Sequence, residues 1–569
     1  MRILLTEKLS QPRWVNSEKS LANSEKSLAN FEKSAANLEK SLARSEKILG
    51  VIFVAVAAIL AATIFYSQNS QAAEFDLQTA TIEDINKAFD ADALNSEKLT
   101  QLYLNRIAAY DQKGPKINSV ITLNKEALAT ARKLDAERKT KGPRSKLHGV
   151  PVVLKDLYDT KDMPTTAGFL PMKNSQPMYD ATVVARLRDA GAIVLAKVNM
   201  SDWFGVPKEG DQSTVLGRTL NPYNLELTPG GSSGGTGAAL AASFAQIGLG
   251  SETGVSIRNP TANNSLAGLA PSRGLIPRAG QVMTSFMQER CGPMARSVYD
   301  VAALTDVVAG FDAEDLATVV SLGKTPKVSY TSFLDKQGLR GARIGVFRDL
   351  FRKGDMHQEG IAMLEKAIAQ MKAAGAVIVD PVSTSIDLFP LLEETRTNYY
   401  EAQFSYDLYF RRLGPNAPIK NMDELLAKGG SLVKPSIVKG YKEFNSLMHH
   451  PDFLARQDTQ ETLKDAAIEL MMKYRLDALV YPFKSVPPEP HLQRGLEKDN
   501  PFSSITGLPA VLVPAGYTQK ENGPIAIEFL GKPFSEPVLF RLAYAYEQLS
   551  HNRKQPTSVP ALPGERFSY

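Results

Sequence analysis

Three stretches of this 569-residue chain hold side chains suited to acyl transfer. "TPGGSSGGTG", Thr228–Gly237, sets Ser232 and Ser233 among five glycines. "GSETGVSIRNP", Gly250–Pro260, is a second glycine- and serine-bearing turn, with Ser256 just before Ile257 and Arg258. "HGVPVVLKDLYDT", His148–Thr160, brings Lys155 to the end of an apolar run. A serine hydroxyl attacks a carbonyl only with the help of a base. A lysine can be that base if it is neutral, which asks its pKa to fall by roughly 3 units, worth about 4 kcal/mol of disfavoured charge. Burial behind a strand such as "VPVVL" supplies desolvation of that kind.

Two other chemistries fit the first turn less well. A phosphate-binding P-loop needs a lysine after its glycines, and here Ala238 and Ala239 follow. A nucleophile elbow, G-x-S-x-G, is matched by Gly230, Gly231, Ser232, Ser233 and Gly234. It also needs an acid and a histidine later in the chain, and His357, His449, His450, His491 and His551 occupy no recognisable setting. A lone G-x-S-x-G leaves the remaining glycines unexplained.

These residues must be held by strands and helices, and the surrounding sequence reads that way. "GVPVVLKD", "GAIVLAKVNM" and "DALVYPF" are apolar runs of buried-strand type. "ATVVARLRDA" and "GIAMLEKAIAQMKAAG" have helical periodicity, and Thr81 with Asp84 forms a capping-box pattern opening a helical stretch towards Tyr110. Buried strands alternating with amphipathic helices predict an α/β layered body. The aromatic run "NYYEAQFSYDLYF" would set Tyr399, Tyr406 and Phe410 on one helix face, and core packing is the expectation for them.

Lys155 in "VLKD", "PGGSSGG" and "GSETGVSIRNP", with Ser256 placed 24 residues after Ser232, together resemble the amidase signature family. "GRTLNPYN" at Gly217–Asn224 and "TGLPAVLVPAGY" at Thr506–Tyr517 are similar to further landmarks of that family. The resemblance covers residues 74–569 and implies a catalytic domain there, a large mixed β-sheet sandwiched by helices. It implies hydrolysis of a small or peptide-like carboxylic amide by a Ser-cisSer-Lys triad, with no cofactor and no metal. Ser256 would be the nucleophile, Ser232 the bridge on a cis Gly231–Ser232 peptide, and Lys155 the base. Backbone N–H groups of Thr253, Gly254, Val255 and Ser256 would form the oxyanion hole, with Gly231, Ser233 and Gly234 supporting the loop. Glu252 and Val255 depart from the family's usual aspartate and glycine, and Val255 is expected to bear on substrate range. Arg258 is expected to be a structural ion-pair group.

Two other segments precede that body. Residues 1–47 read as a repeat tail: five heptads, NSEKSLA to RSEKILG, run from Asn16 to Gly50, with Leu21, Leu28, Ala35, Leu42 and Leu49 at one seam position. Three of the five positions paired with that seam are serine, so a disordered or weakly helical tail is expected. Residues 48–67 begin "ILGVIFVAVAAILAATIFY", 19 uncharged residues spanning roughly 28 Å as a helix. That predicts a transmembrane signal-anchor helix with the body exported to an extracytoplasmic or periplasmic side, or a signal cut near Ala72 with the body secreted.

The net charge is +5, of which residues 1–47, with nine Lys/Arg and six Glu, hold +3. No concentrated basic face is left for nucleic acid. Cys291 is the only cysteine, which excludes an intrachain disulfide. A homodimer is compatible with the sequence. Two further functions remain open at this point. One is the glutamine-hydrolysing subunit of a tRNA-dependent amidotransferase, against which the membrane segment weighs. The other is a catalytically silent anchored scaffold, against which the complete triad weighs.

Overall fold

The structure, a computed structural model, describes residues 73–202, 212–415, 417–435, 438, 450–491 and 500–569. The body formed by Glu74–Phe567 is built around one sheet of eleven strands. In chain order these are β1 (Val120–Leu123), β2 (Pro151–Lys155), β3 (Ile193–Val198), β4 (Ile247–Glu252), β5 (Ala267–Ala270), β6 (Arg290–Ala295), β7 (Arg343–Phe347), β8 (Val377–Val382), β9 (Ala478–Pro482), β10 (Ala510–Tyr517) and β11 (Pro524–Leu530). Their spatial order is β8-β7-β9-β11-β10-β5-β6-β4-β2-β3-β1. The sheet is mixed: β2 runs parallel to both β3 and β4, while β6 is antiparallel to β4 and β5.

All five residues of β2 and all six of β3 and β4 are buried, as expected of strands covered on both faces by helices. "DALVYPF" supplies β9, and the two helical patterns appear as Thr182–Asp189 and Gln358–Ala373. The capping box at Thr81 is real: its hydroxyl accepts from Asp84 N, and the Asp84 carboxylate accepts from Thr81 N. The helix it opens, α1 (Ile82–Asp90), stops short of the predicted Tyr110. Asn95 caps a separate helix, α2 (Ser96–Tyr110), by accepting from Lys98 N, so "DALN" is a break.

Three helices frame the site. α3 (Gly234–Ala241) follows the first serine turn and is made of small residues and one leucine, every one buried. α4 (Arg258–Asn263) follows the second. α5 (Asn398–Arg412) carries the aromatic run, with Tyr406, Tyr409 and Phe410 buried in the core; the Tyr399 side chain lies outside the described residues.

The expectation of a transmembrane helix is corrected. Among the described residues no helix is long and apolar enough to cross a membrane. The physical reason is that the apolar runs described here are spent as short buried strands. The 23-residue helix Pro451–Lys473 has the length, but it carries Asp452, Arg456, Asp458, Glu461, Lys464 and Asp465. The fold is therefore the mixed-sheet α/β body without a spanning helix among the described residues. Residues 1–47 and 48–67, on which the heptad and membrane expectations rested, lie outside the described residues.

Candidate active site

Register brings the three predicted stretches to one end of the sheet. β2 pairs with β4 in parallel, Leu154 opposite Leu249, so Lys155 closes β2 beside the last residues of β4. Both strands point their carboxyl ends the same way, where α/β sheets place their ligands. The Lys155 Nζ lies 2.6 Å from Ser232 Oγ and 2.9 Å from Ser251 Oγ. It is fully buried, and loss of hydration pushes its pKa down to about 7, with Glu289 and Glu252 pulling the other way.

The first serine turn reaches this lysine through an unusual backbone. The Gly231–Ser232 peptide is cis. Gly230 has φ +79°, and a Cβ there would collide with Asn259, so only glycine fits. Ser233, next in the chain, faces the end of β4: its hydroxyl donates to Ser251 O at 3.1 Å and accepts from Ser251 N at 3.2 Å. The two adjacent hydroxyls therefore have different neighbours, Ser232 the lysine and Ser233 the β4 backbone. Gly231 and Gly234 flank them, and Gly234 begins α3.

The second turn, Thr253–Ser256, leaves β4 and enters α4. Ser256 is half-buried, more open than Lys155. Among the described residues, no acceptor is placed on the N–H groups of Gly254, Val255 or Ser256. A Cβ on Gly254 would run into the Arg396 guanidinium, so the turn lies flush against it. The Val255 side chain is buried in a small apolar cluster with Ala262, Phe483, Leu512 and Ala526.

Behind the turn lies a buried charge network. The Glu252 carboxylate accepts from Ile257 N and Arg258 N, both at 3.1 Å, and from the Arg258 guanidinium at 3.0 Å. Arg258 also contacts Glu528 at 3.1 Å, and Arg290 pairs with Glu252. Burial pushes the Glu252 carboxyl up, but Arg258 and Arg290 hold it below the ordinary carboxylate range. Arg258 therefore sits where the sequence reading places it, as a structural ion-pair group.

Sequence reasoning missed Ser251 and Glu289. Ser251 was within sight, inside the quoted turn. Glu289 carries no local signal: it precedes β6, and antiparallel pairing of Glu252 with Arg290 brings it opposite Thr253. Its carboxylate accepts from the Thr253 hydroxyl and from Gln281 Nε2 at 3.1 Å.

Known proteins are similar to this chain over most of its length. The Amidase family matches residues 98–540. A probable amidase of Arabidopsis thaliana is 32% identical over 518 residues, 87% of this chain and 94% of that protein. A glutamyl-tRNA(Gln) amidotransferase subunit of Myxococcus xanthus is 31% identical over 490 residues, 83% and 97%. The native peptide amidase of Stenotrophomonas maltophilia superimposes with a TM-score of 0.77 at 34% identity, covering 84% of this chain and 98% of that one. A fold of this kind, with these family matches, defines an amide hydrolase. The chain belongs to the amidase family and is an amide-hydrolysing enzyme.

Proposed function

We propose that Ser256 attacks the carbonyl of a peptide-like carboxamide, with Ser232 relaying its proton to Lys155. In the resting site Lys155 is neutral and holds the Ser232 hydroxyl. As Ser256 Oγ bonds to the carbonyl carbon, its proton passes to Ser232 Oγ and the Ser232 proton passes to Lys155 Nζ. The oxyanion is received by the turn Thr253–Ser256, whose N–H groups at Gly254, Val255 and Ser256 are without an acceptor among the described residues. Donors of this kind are worth about 3 kcal/mol each in the transition state. The proton on Lys155 then goes to the leaving nitrogen as the carbon–nitrogen bond breaks, forming an acyl-Ser256 ester. Water releases the acid by the reverse relay. Gly231, Ser233 and Gly234 keep the bridging serine in place.

The observation that carries this reading is the 2.6 Å contact between a fully buried lysine and Ser232. The peptide-like substrate is supported by the TM-score of 0.77 to the peptide amidase, against 0.63 to the amidotransferase subunit of Thermotoga maritima at 25% identity. The likeness to curated amidotransferase subunits favours a second reading, ammonia release from glutamine. One assay separates them: ammonia release from a panel of peptide amides and from free glutamine, with Ser256→Ala as blank. The proposal expects turnover of peptide amides that Ser256→Ala abolishes. Turnover of glutamine alone would transfer the assignment to the second reading.

A further inference from the structure

We propose that Gln288 is a positioning residue that aims one donor of the oxyanion turn, Gly254 N–H, by bonding the carbonyl at the other end of the same peptide unit. The inference rests on the reading of Thr253–Ser256 as the turn that receives the oxyanion.

A peptide unit is planar and trans, so its C=O and N–H point in opposite directions within one rigid plane. A hydrogen bond to the carbonyl therefore fixes where the N–H points. Each unit of this turn is held in that way. Thr253 O, opposite Gly254 N–H, accepts from Gln288 Nε2 at 3.2 Å. Gly254 O, opposite Val255 N–H, accepts from Arg258 Nη2 at 2.8 Å. Val255 O, opposite Ser256 N–H, accepts from Asn259 N at 2.7 Å. The third bond belongs to the first turn of α4, and the second to the charge network around Glu252 and Glu528. The first comes from a neutral side chain outside the turn.

Gln288 is fixed for that task. It is buried, and its backbone N–H donates to Ser285 Oγ at 2.9 Å. The Ser285 hydroxyl in turn donates to Glu401 on α5 at 2.8 Å. Gln288 Oε1 accepts from Thr397 N at 2.7 Å and from Thr397 Oγ1 at 3.0 Å. A backbone N–H can only donate and a carbonyl can only accept, so Thr397 N and Thr253 O together decide which end of the carboxamide faces which. The side chain thus ties the turn to the residue that precedes α5. A donor on Thr253 O also polarises the peptide, which strengthens Gly254 N–H as a donor.

The test uses the full chain and two analogues of its best amide substrate. One is an aldehyde, whose carbonyl carbon bonds Ser256 Oγ and leaves its oxygen seated in the turn. The other is the matching alcohol, which forms no adduct. Gln288→Met removes the donor at similar length. It should lower kcat by about 10- to 100-fold with KM changed by about twofold at most. It should also weaken inhibition by the aldehyde by about tenfold or more, with inhibition by the alcohol nearly unchanged. Gln288→Glu keeps an acceptor for Thr397 but, at about pH 9, offers Thr253 O no donor. It should show the same split, and it decides the matter if Gln288→Met does not fold. Equal weakening of aldehyde and alcohol overturns the inference, as does unchanged inhibition by the aldehyde. A Gln288→Glu protein with the kcat of the unmodified chain overturns it too, since the Thr397 contacts alone would then suffice. An aldehyde that binds Ser256→Ala as tightly as the unmodified chain would instead sink the reading of Ser256 and its turn, so the two failures are distinguishable.

Discussion

Burial keeps water from the Lys155 ammonium and pushes its pKa down to about 7, which is what the proposed role as a base asks of it. The sign of the pH dependence follows. Below about 7 the amine is protonated and cannot take the Ser232 proton; above it the amine is free. Amide hydrolysis should therefore fall by about tenfold per pH unit on the acid side. Lys155→Met should remove this limb and cost on the order of 10²–10⁴-fold in kcat. A pH–rate profile of both proteins checks this, and a Lys155→Met protein that kept the acid limb would assign that limb to another group. At this scale the sequence was readable where chemistry and chain neighbours coincide. Lys155 and Ser232 are named by their motifs, and they meet at 2.6 Å. The apolar cluster that buries the Val255 side chain was not readable, because its partners come from distant parts of the chain.

At the scale of elements, the turn Thr253–Ser256 is held by the charges under it more than by its own backbone. Glu252 receives the first two N–H groups after Ser256, at Ile257 and Arg258, and the Arg258 side chain ties that carboxylate to Glu528 on β11. Removing one partner from such a buried set leaves a charge uncompensated. Arg258→Met should lower stability by about 3–5 kcal/mol, read as a shift in denaturant midpoint. It should also slow fluorophosphonate labelling, since the turn loses its anchor. A variant as stable as the unmodified chain would show that Glu252 and Glu528 are neutral in the folded state. Apolar strands such as "VPVVL" and "GAIVLA" were legible because burial on both faces leaves an unbroken apolar run. The break between α1 and α2 was not, since only the Asn95 cap marks it. Glu289 was invisible for a related reason: pairing between β4 and β6 places it, and no sequence-local pattern encodes that register.

At the scale of the whole molecule, distant parts of the chain are tied together beneath the catalytic layer. Arg106 on α2 is fully buried and bonds Glu565 near the end of the chain at 2.8 Å, the Val559 carbonyl at 2.8 Å and the Ala242 carbonyl just after α3 at 2.9 Å. The early helices, the helix after the serine turn and the closing segment thus share one guanidinium. The α/β class and mixed sheet were legible from the alternation of strands and helices and from the family resemblance. The expected membrane helix is no part of the described fold: among the described residues no helix is long and apolar enough to cross a membrane, and residues 48–67, on which it rested, lie outside them. Which atom becomes acylated decides the mechanism. The most direct measurement is peptide mapping by mass spectrometry of the full chain after reaction with a fluorophosphonate. One adduct per chain, on the peptide bearing Ser256 and at Ser256 itself, is the predicted result; an adduct on Ser232 or Ser251 with Ser256 unmodified would contradict it.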